Sequence, residues 1–102
     1  DRMVLQNEKI ALPFQGLTEY LRVGEILYCE SSGNYTRIVL DGEERLVSKT
    51  LKFIEDRLPP QLFLRIHHSY LVNVDQVAGY IRGEGGEVVM ANKKHLPVAS
   101  TR

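Results

Sequence analysis

The sequence predicts a mainly β domain with one short helix. Three observations carry this. Short β-prone runs recur along the 102 residues, each closed by Gly, Asn, Asp, Ser or Pro. Helical spacing occurs once, where Leu51, Ile54 and Leu58 share a face ahead of Pro59-Pro60. From Phe63 to Asn73, hydrogen-bonding residues (Arg65, His67, His68, Ser69, Asn73) are threaded between bulky apolar ones, the pattern of a strand and turn that present polar groups. If strand alternation runs through this stretch, His67 and His68 point to opposite faces.

Taken in order, Lys9 to Phe14 is a strand that Pro13 confines to an edge, and Gln15-Gly16 turns it into Leu17 to Leu21, making a hairpin. Val23-Gly24-Glu25 bends the chain into Ile26 to Ser31, a strongly β-prone run. Ser32-Gly33-Asn34 is a loop of residues that tolerate left-handed backbone, and Tyr35 to Leu40 returns from it as a strand. Asp41-Gly42 is a strong hairpin signal leading into Glu44 to Ser48. The helix follows, capped by Ser48 or Thr50, about two turns long and in need of a sheet to pack on. Beyond the central stretch, strands are expected over Val77 to Arg82, Glu87 to Ala91 and His95 to Val98, with Gly83-Glu84-Gly85-Gly86 and Asn92-Lys93-Lys94 as turns. Val74-Asp75-Gln76-Val77 echoes Val23-Gly24-Glu25-Ile26, each a bend feeding a strand.

Composition narrows the function classes. The 43% hydrophobic and 25% charged content is that of a folded globular chain. No apolar run has the length of a membrane-spanning helix, and there is no secretory leader pattern. The start at Asp1 suggests a piece of a longer protein, with residues 1–8 as a linker from an upstream domain. The lone Cys29 forms no internal disulfide, which fits a reducing, cytoplasmic setting. Formal net charge is +0, so any nucleic-acid contact must come from local distribution. From Gln61 onward there are five basic residues against three acidic ones, and the first thirty residues reverse this, with three against five.

Catalytic and metal motifs are absent. His67, His68, His95 and Cys29 lack ligand spacing, and no cofactor is expected. Ser69 beside His68 is not a triad, there is no Gly-x-Ser-x-Gly elbow, and the Gly83 to Gly86 turn lacks the Lys and helix of a phosphate loop. An enzyme and a small-molecule substrate are therefore not expected. What remains are polar loop ends: Asn34, Thr36 and Arg37 at one, His68 and Ser69 at a second, Ser100, Thr101 and Arg102 at the terminus. Lys49, Lys93 and Lys94 are placed to flank them as phosphate contacts. The same residues also fit the wet rim of an ordinary β domain.

The stretch Phe63, Arg65, His67, Ser69, Tyr70, Val72, Asn73 resembles the hallmark Phe-x-Arg-x-His-x-Ser-Tyr/Phe-x-Val-Asn of LytTR-type DNA-binding domains, output modules of bacterial two-component response regulators. Ile26 to Glu30 ahead of Gly33-Asn34-Tyr35, Thr50-Leu51-Lys52, Leu58-Pro59 and Leu96-Pro97-Val98 are similar too, so the resemblance covers nearly the whole chain from about Lys9. It implies one domain over residues 1–102, an elongated stack of short antiparallel sheets with one short helix. It also implies loops set into successive major grooves of double-stranded promoter DNA, usually direct repeats, in a chain carrying an upstream receiver domain. By position, the loop through Asn34, Thr36 and Arg37 enters one major groove, His68 faces the minor groove or backbone, and the residues after Val98 enter the next. Arg65, His67 and Asn73 are expected to be structural, with His67 orienting its loop. The chain departs from the pattern at His68, where Arg or Asn is frequent, and at Ala99-Ser100, where the family often reads Ser-Arg. The reading from a different class is a protein-interaction module that pairs β edges with a partner and binds no nucleic acid.

Overall fold

Ile26-Leu27-Tyr28-Cys29 is apolar at every position, as a strand covered on both faces must be. That strand, β3 (Ile26–Ser32), lies at the centre of the molecule. The structure, a computed structural model, describes residues 2–83 and 85–99. Its elements are α1 (Arg2–Asn7), β1 (Lys9–Phe14), β2 (Leu17–Arg22), β3, β4 (Tyr35–Leu40), β5 (Glu43–Val47), α2 (Leu51–Glu55), β6 (Phe63–His67), β7 (Tyr70–Asn73), β8 (Val77–Ile81), β9 (Glu87–Met90) and β10 (His95–Pro97), with 3-10 turns at Val23–Glu25 and Val74–Gln76.

Three antiparallel sheets form: the hairpin β1-β2, a five-stranded sheet in the order β5-β4-β3-β7-β6, and a three-stranded sheet in the order β10-β9-β8. The five-stranded sheet is the middle layer. One of its faces packs under β1-β2 and α2 through Ile38, Leu71, Cys29, Leu51 and Ile54. The other meets the three-stranded sheet through Tyr28, Val39, Val72, Val88, Met90 and Leu96. An irregularity in the β3–β4 ladder at Leu27 puts Leu27 and Tyr28 successively on the same face. The mainly β, stacked antiparallel architecture is the one the sequence predicts.

The echoed bends both form 3-10 turns, and they are tied together. Buried Asn73 donates from Nδ2 to the Ile26 carbonyl at 3.0 Å and accepts from the Asp75 N–H at 3.0 Å, while Gln76 Nε2 reaches the Gly24 carbonyl at 3.1 Å. Asn73 is thus structural, linking the starts of two sheets. The helix is shorter than its spacing predicts, with α-helical residues ending at Glu55; Thr50 is the cap, accepting from the Phe53 N–H at 3.2 Å. A second helix, α1, was not expected. At six residues it is too short to be stable alone, and packing holds it: the Val23 N–H bonds the Glu8 carbonyl at 2.8 Å, and Gly24 lies so close that a Cβ there would sit 2.9 Å from the Gln6 carbonyl oxygen.

Candidate nucleic-acid interface

Antiparallel pairing decides which turns share an end of the middle sheet. Ser32 pairs with Tyr35 across the β3–β4 turn, Glu30 with Tyr70 across β3–β7, and Thr36 with Val47 across β4–β5. The Gly33-Asn34 turn, the His68-Ser69 turn and the chain leaving β5 at Lys49 therefore lie side by side at one end. They are also bonded to one another. The Ser31 N–H donates to the Ser69 carbonyl at 2.9 Å, and Thr36 Oγ1 donates to the Lys49 carbonyl at 2.8 Å. Gly33 takes a φ of +63°, which its missing Cβ permits, and leaves Asn34 exposed at the tip.

The His68-Ser69 turn is fastened from beneath by Arg65. Its Nε donates to the His67 carbonyl at 3.1 Å, one terminal nitrogen to the His68 carbonyl at 2.7 Å and the other to Glu55 on α2 at 2.7 Å. His67 Nδ1 accepts from the Ser69 N–H at 3.1 Å, which places its remaining ring proton on Nε2. The histidine rings do not diverge as strand alternation predicts. Their centroids are 4.2 Å apart at an interplanar angle of 31°, because the ladder shifts register between Arg65 and His67 and the strand ends at His67. His68 is exposed and Ser69 half-buried.

The last described strand delivers the chain to the same place. The Ala99 N–H donates to the Ile66 carbonyl at 2.8 Å and the Val98 N–H to the Gly86 carbonyl at 3.3 Å, so this segment joins β6 to the β8–β9 turn. Ser100, Thr101 and Arg102 lie outside the described residues and follow on from here.

Other expected contacts sit elsewhere. Thr36 is 0% exposed with its hydroxyl committed to Lys49, because β4 is covered on both faces; it offers a base edge nothing. Arg37 is half-buried between acids. It bonds Glu30, with Glu44 3.8 Å away, and the bond to Glu30 raises its pKa further. Its charge is thus largely met within the protein. Glu30 also accepts from the Tyr70 hydroxyl at 3.1 Å, and burial first, then this bond, raises the Tyr70 pKa. Lys93 and Lys94 are exposed, but at the opposite end: their turn follows Met90, whose neighbour Ala91 bonds Gln76, and Ala91 and Asn92 line a cleft with Gly24 and Asp41. They do not flank the tips. Lys49 does, its Nζ 4.9 Å from the Phe53 ring centroid. Arg57, which no sequence signal singles out, covers the same ring at 3.6 Å. Among the described residues no group of three or more His, Cys, Asp or Glu is arranged to hold a metal ion, and no helix is long and apolar enough to cross a membrane.

The fold is thus a stack of short antiparallel sheets with polar turns gathered at one end. Comparison with known proteins gives the class: residues 18–102 match the family model of the LytTr DNA-binding domain, and the chain belongs to that family. It is a DNA-binding domain of the kind found in transcriptional regulators. The chain is 29% identical over 82 residues to the CO-responsive transcriptional regulator RcoM of Rhodospirillum rubrum, covering 80% of this chain and 35% of that protein. It is 31% identical over 71 residues to the transcriptional regulatory protein NatR of Bacillus subtilis (70% and 30%), and 28% over 81 residues to an uncharacterized response regulatory protein of Yersinia pestis (78% and 33%). It spans about a third of the length of these relatives. A LytTr DNA-binding domain from Bacillus cereus superposes with a TM-score of 0.79 at 20% identity, over 92% of this chain and 88% of that one, and shows the same fold.

Proposed function

We propose that the chain binds duplex DNA in a sequence-specific way through the row of turns at one end of its middle sheet, as the output domain of a bacterial response regulator. The row itself carries the reading. Lys49, Asn34, Ser69, His68 and the chain leaving Ala99 occupy successive strand ends. Five strands and the chain at Ala99, which bonds edge strand β6, span five gaps of about 4.8 Å, a row of roughly 24 Å before side chains are counted. One turn of B-DNA is about 34 Å, so a row of this length with side chains projecting from both ends crosses a minor groove and meets the major groove on either side.

In this arrangement Asn34 and the residues from Ser100 to Arg102 read base edges, His68 and Ser69 face the minor groove or backbone, and Lys49 meets a phosphate. Thr36, Arg37 and Arg65 act from behind, holding the tips in register. Lys93 and Lys94 take no part. In the full-length protein a receiver domain lies upstream, the target is a promoter carrying direct repeats, and the setting is cytoplasmic. Support comes from the family membership and from the response regulatory relative.

Selection of bound duplexes from a random pool tests this directly. The expected product is a short motif that Asn34→Ala relaxes on one side only; a pool that returns no motif overturns the reading. The exposed Leu64 on edge strand β6 favours the alternative of edge pairing with a protein. A salt titration separates the two, since strand pairing releases no DNA counterions.

A further inference from the structure

We infer that the β8–β9 turn is an additional DNA contact, with Arg82 holding a backbone phosphate in the cleft beside His68. The inference rests on the binding mode proposed above and assigns a residue that mode does not include. The cleft measures about 650 Å³ and is lined by His67, His68, Arg82, Gly83, Gly85 and Val98, among others. It opens where the His68-Ser69 turn faces the three-stranded sheet, next to the point where the chain leaves Ala99.

Arg82 stands apart from the other arginines whose side chains are described. Arg22 pairs with Glu25, Arg37 with Glu30, Arg45 with Glu19 and Arg65 with Glu55, while Arg57 lies on Phe53 and bonds its carbonyl. Arg82 is exposed and makes no ion pair with any described residue. The acid lining the same cleft, Glu87, is turned to His95, with Oε1 and Nδ1 3.1 Å apart. Glu84 lies outside the described residues. A guanidinium with no ion-pair partner among the described residues, beside an exposed imidazole, is suited to a phosphate diester, which it can grip with two parallel hydrogen bonds.

The cleft is also held in shape. Val98 and Ala99 bond Gly86 on one wall and Ile66 on the other, fixing the β8–β9 turn relative to β6. Gly83 and Gly85 have φ of +148° and +85°, and a Cβ at either would meet nothing within 4 Å, so neither is a glycine for want of space. Their backbone angles let the turn fold back. One sheet spacing, about 10 Å, separates this wall from the His68 turn. That suffices to reach the strand across a minor groove of about 6 Å.

Equilibrium titrations of the intact chain test the inference, on a selected duplex and an unrelated one, between about 50 and 200 mM salt. Losing one phosphate contact removes about 0.9 from the slope of log K against log salt. Arg82→Ala is expected to bind both duplexes more weakly by a similar factor, and its loss of affinity across this salt range to be smaller than the wild type's by about 3.5-fold, fourfold in salt raised to about 0.9. Arg82→Lys should restore most of the slope. An unchanged slope in Arg82→Ala, with Asn34→Ala still relaxing the motif, overturns this inference and leaves the binding mode standing. An equal slope change in the Lys93→Ala/Lys94→Ala variant points to diffuse charge and also overturns it. A wild-type chain without salt-dependent duplex binding overturns both.

Discussion

Arg65 spends its guanidinium on two carbonyls of one turn and a carboxylate of the helix, so no lysine can replace it: a point charge lacks the planar fork. Arg65→Ala is expected to cost about 2 kcal/mol, read from the urea midpoint, and Arg65→Lys to recover less than half of that. His67→Ala should lower both melting temperature and DNA affinity, since it removes the acceptor for the Ser69 N–H that shapes the presenting turn. Cys29 supplies a test in pH. Complete burial pushes its thiol from 9.0 up to about 12. In the unfolded chain the thiol ionises first, so between about 9 and 12 the folded state binds more protons and stability falls as pH rises. Cys29→Ala should flatten part of that alkaline decline in chemical denaturation. The residue scale is also where sequence reading is weakest. Nothing local marks Thr36 as buried, because polar threonine on a doubly covered strand looks the same as threonine on a half-exposed one until the second sheet is in place.

At the scale of elements, strands and turns were legible because their signals are local. Apolar runs, Gly33, Asp41-Gly42 and the double proline each act within a few residues. Helix α1 left no such trace; its stability comes from Gly24 and Leu5 packing, contacts made across the fold. His67 and His68 face each other for a related reason: period-two alternation ends wherever a ladder slips, and a slip is not written in composition. The β3–β4 turn offers the clearest separation of binding from folding. Asn34→Ala should leave the melting temperature unchanged and weaken specific binding. Gly33→Ala, forced to keep a φ of +63°, should cost about 1–2 kcal/mol in stability.

At the scale of the molecule, the five-stranded sheet works as a ruler. Its two hydrophobic cores sit on opposite faces, so the spacing of the turns at its end is set by backbone hydrogen bonds and not by loop conformation. Neutral overall charge is compatible with DNA binding here because acids and bases are sorted by position: Lys49 and Arg82 make no ion pair with a described residue, while Glu30 and Glu44 are spent on Arg37. Which cations belong to that end could not be read from the sequence. Lys93-Lys94 and the Arg82 turn are the two ends of the same small sheet, and only its packing on β3 and β7 decides which of them joins the tips.

The anchoring of α1 against the Val23–Glu25 turn holds it at the pole opposite the row of turns. Among the described residues the chain therefore runs from that pole to Ala99 beside the His68-Ser69 turn. In the proposed binding mode a fluorescent protein joined ahead of α1 should hang clear of the duplex and report occupancy faithfully, whereas the same cargo joined directly after Ala99 would be wedged against the DNA it is meant to report on.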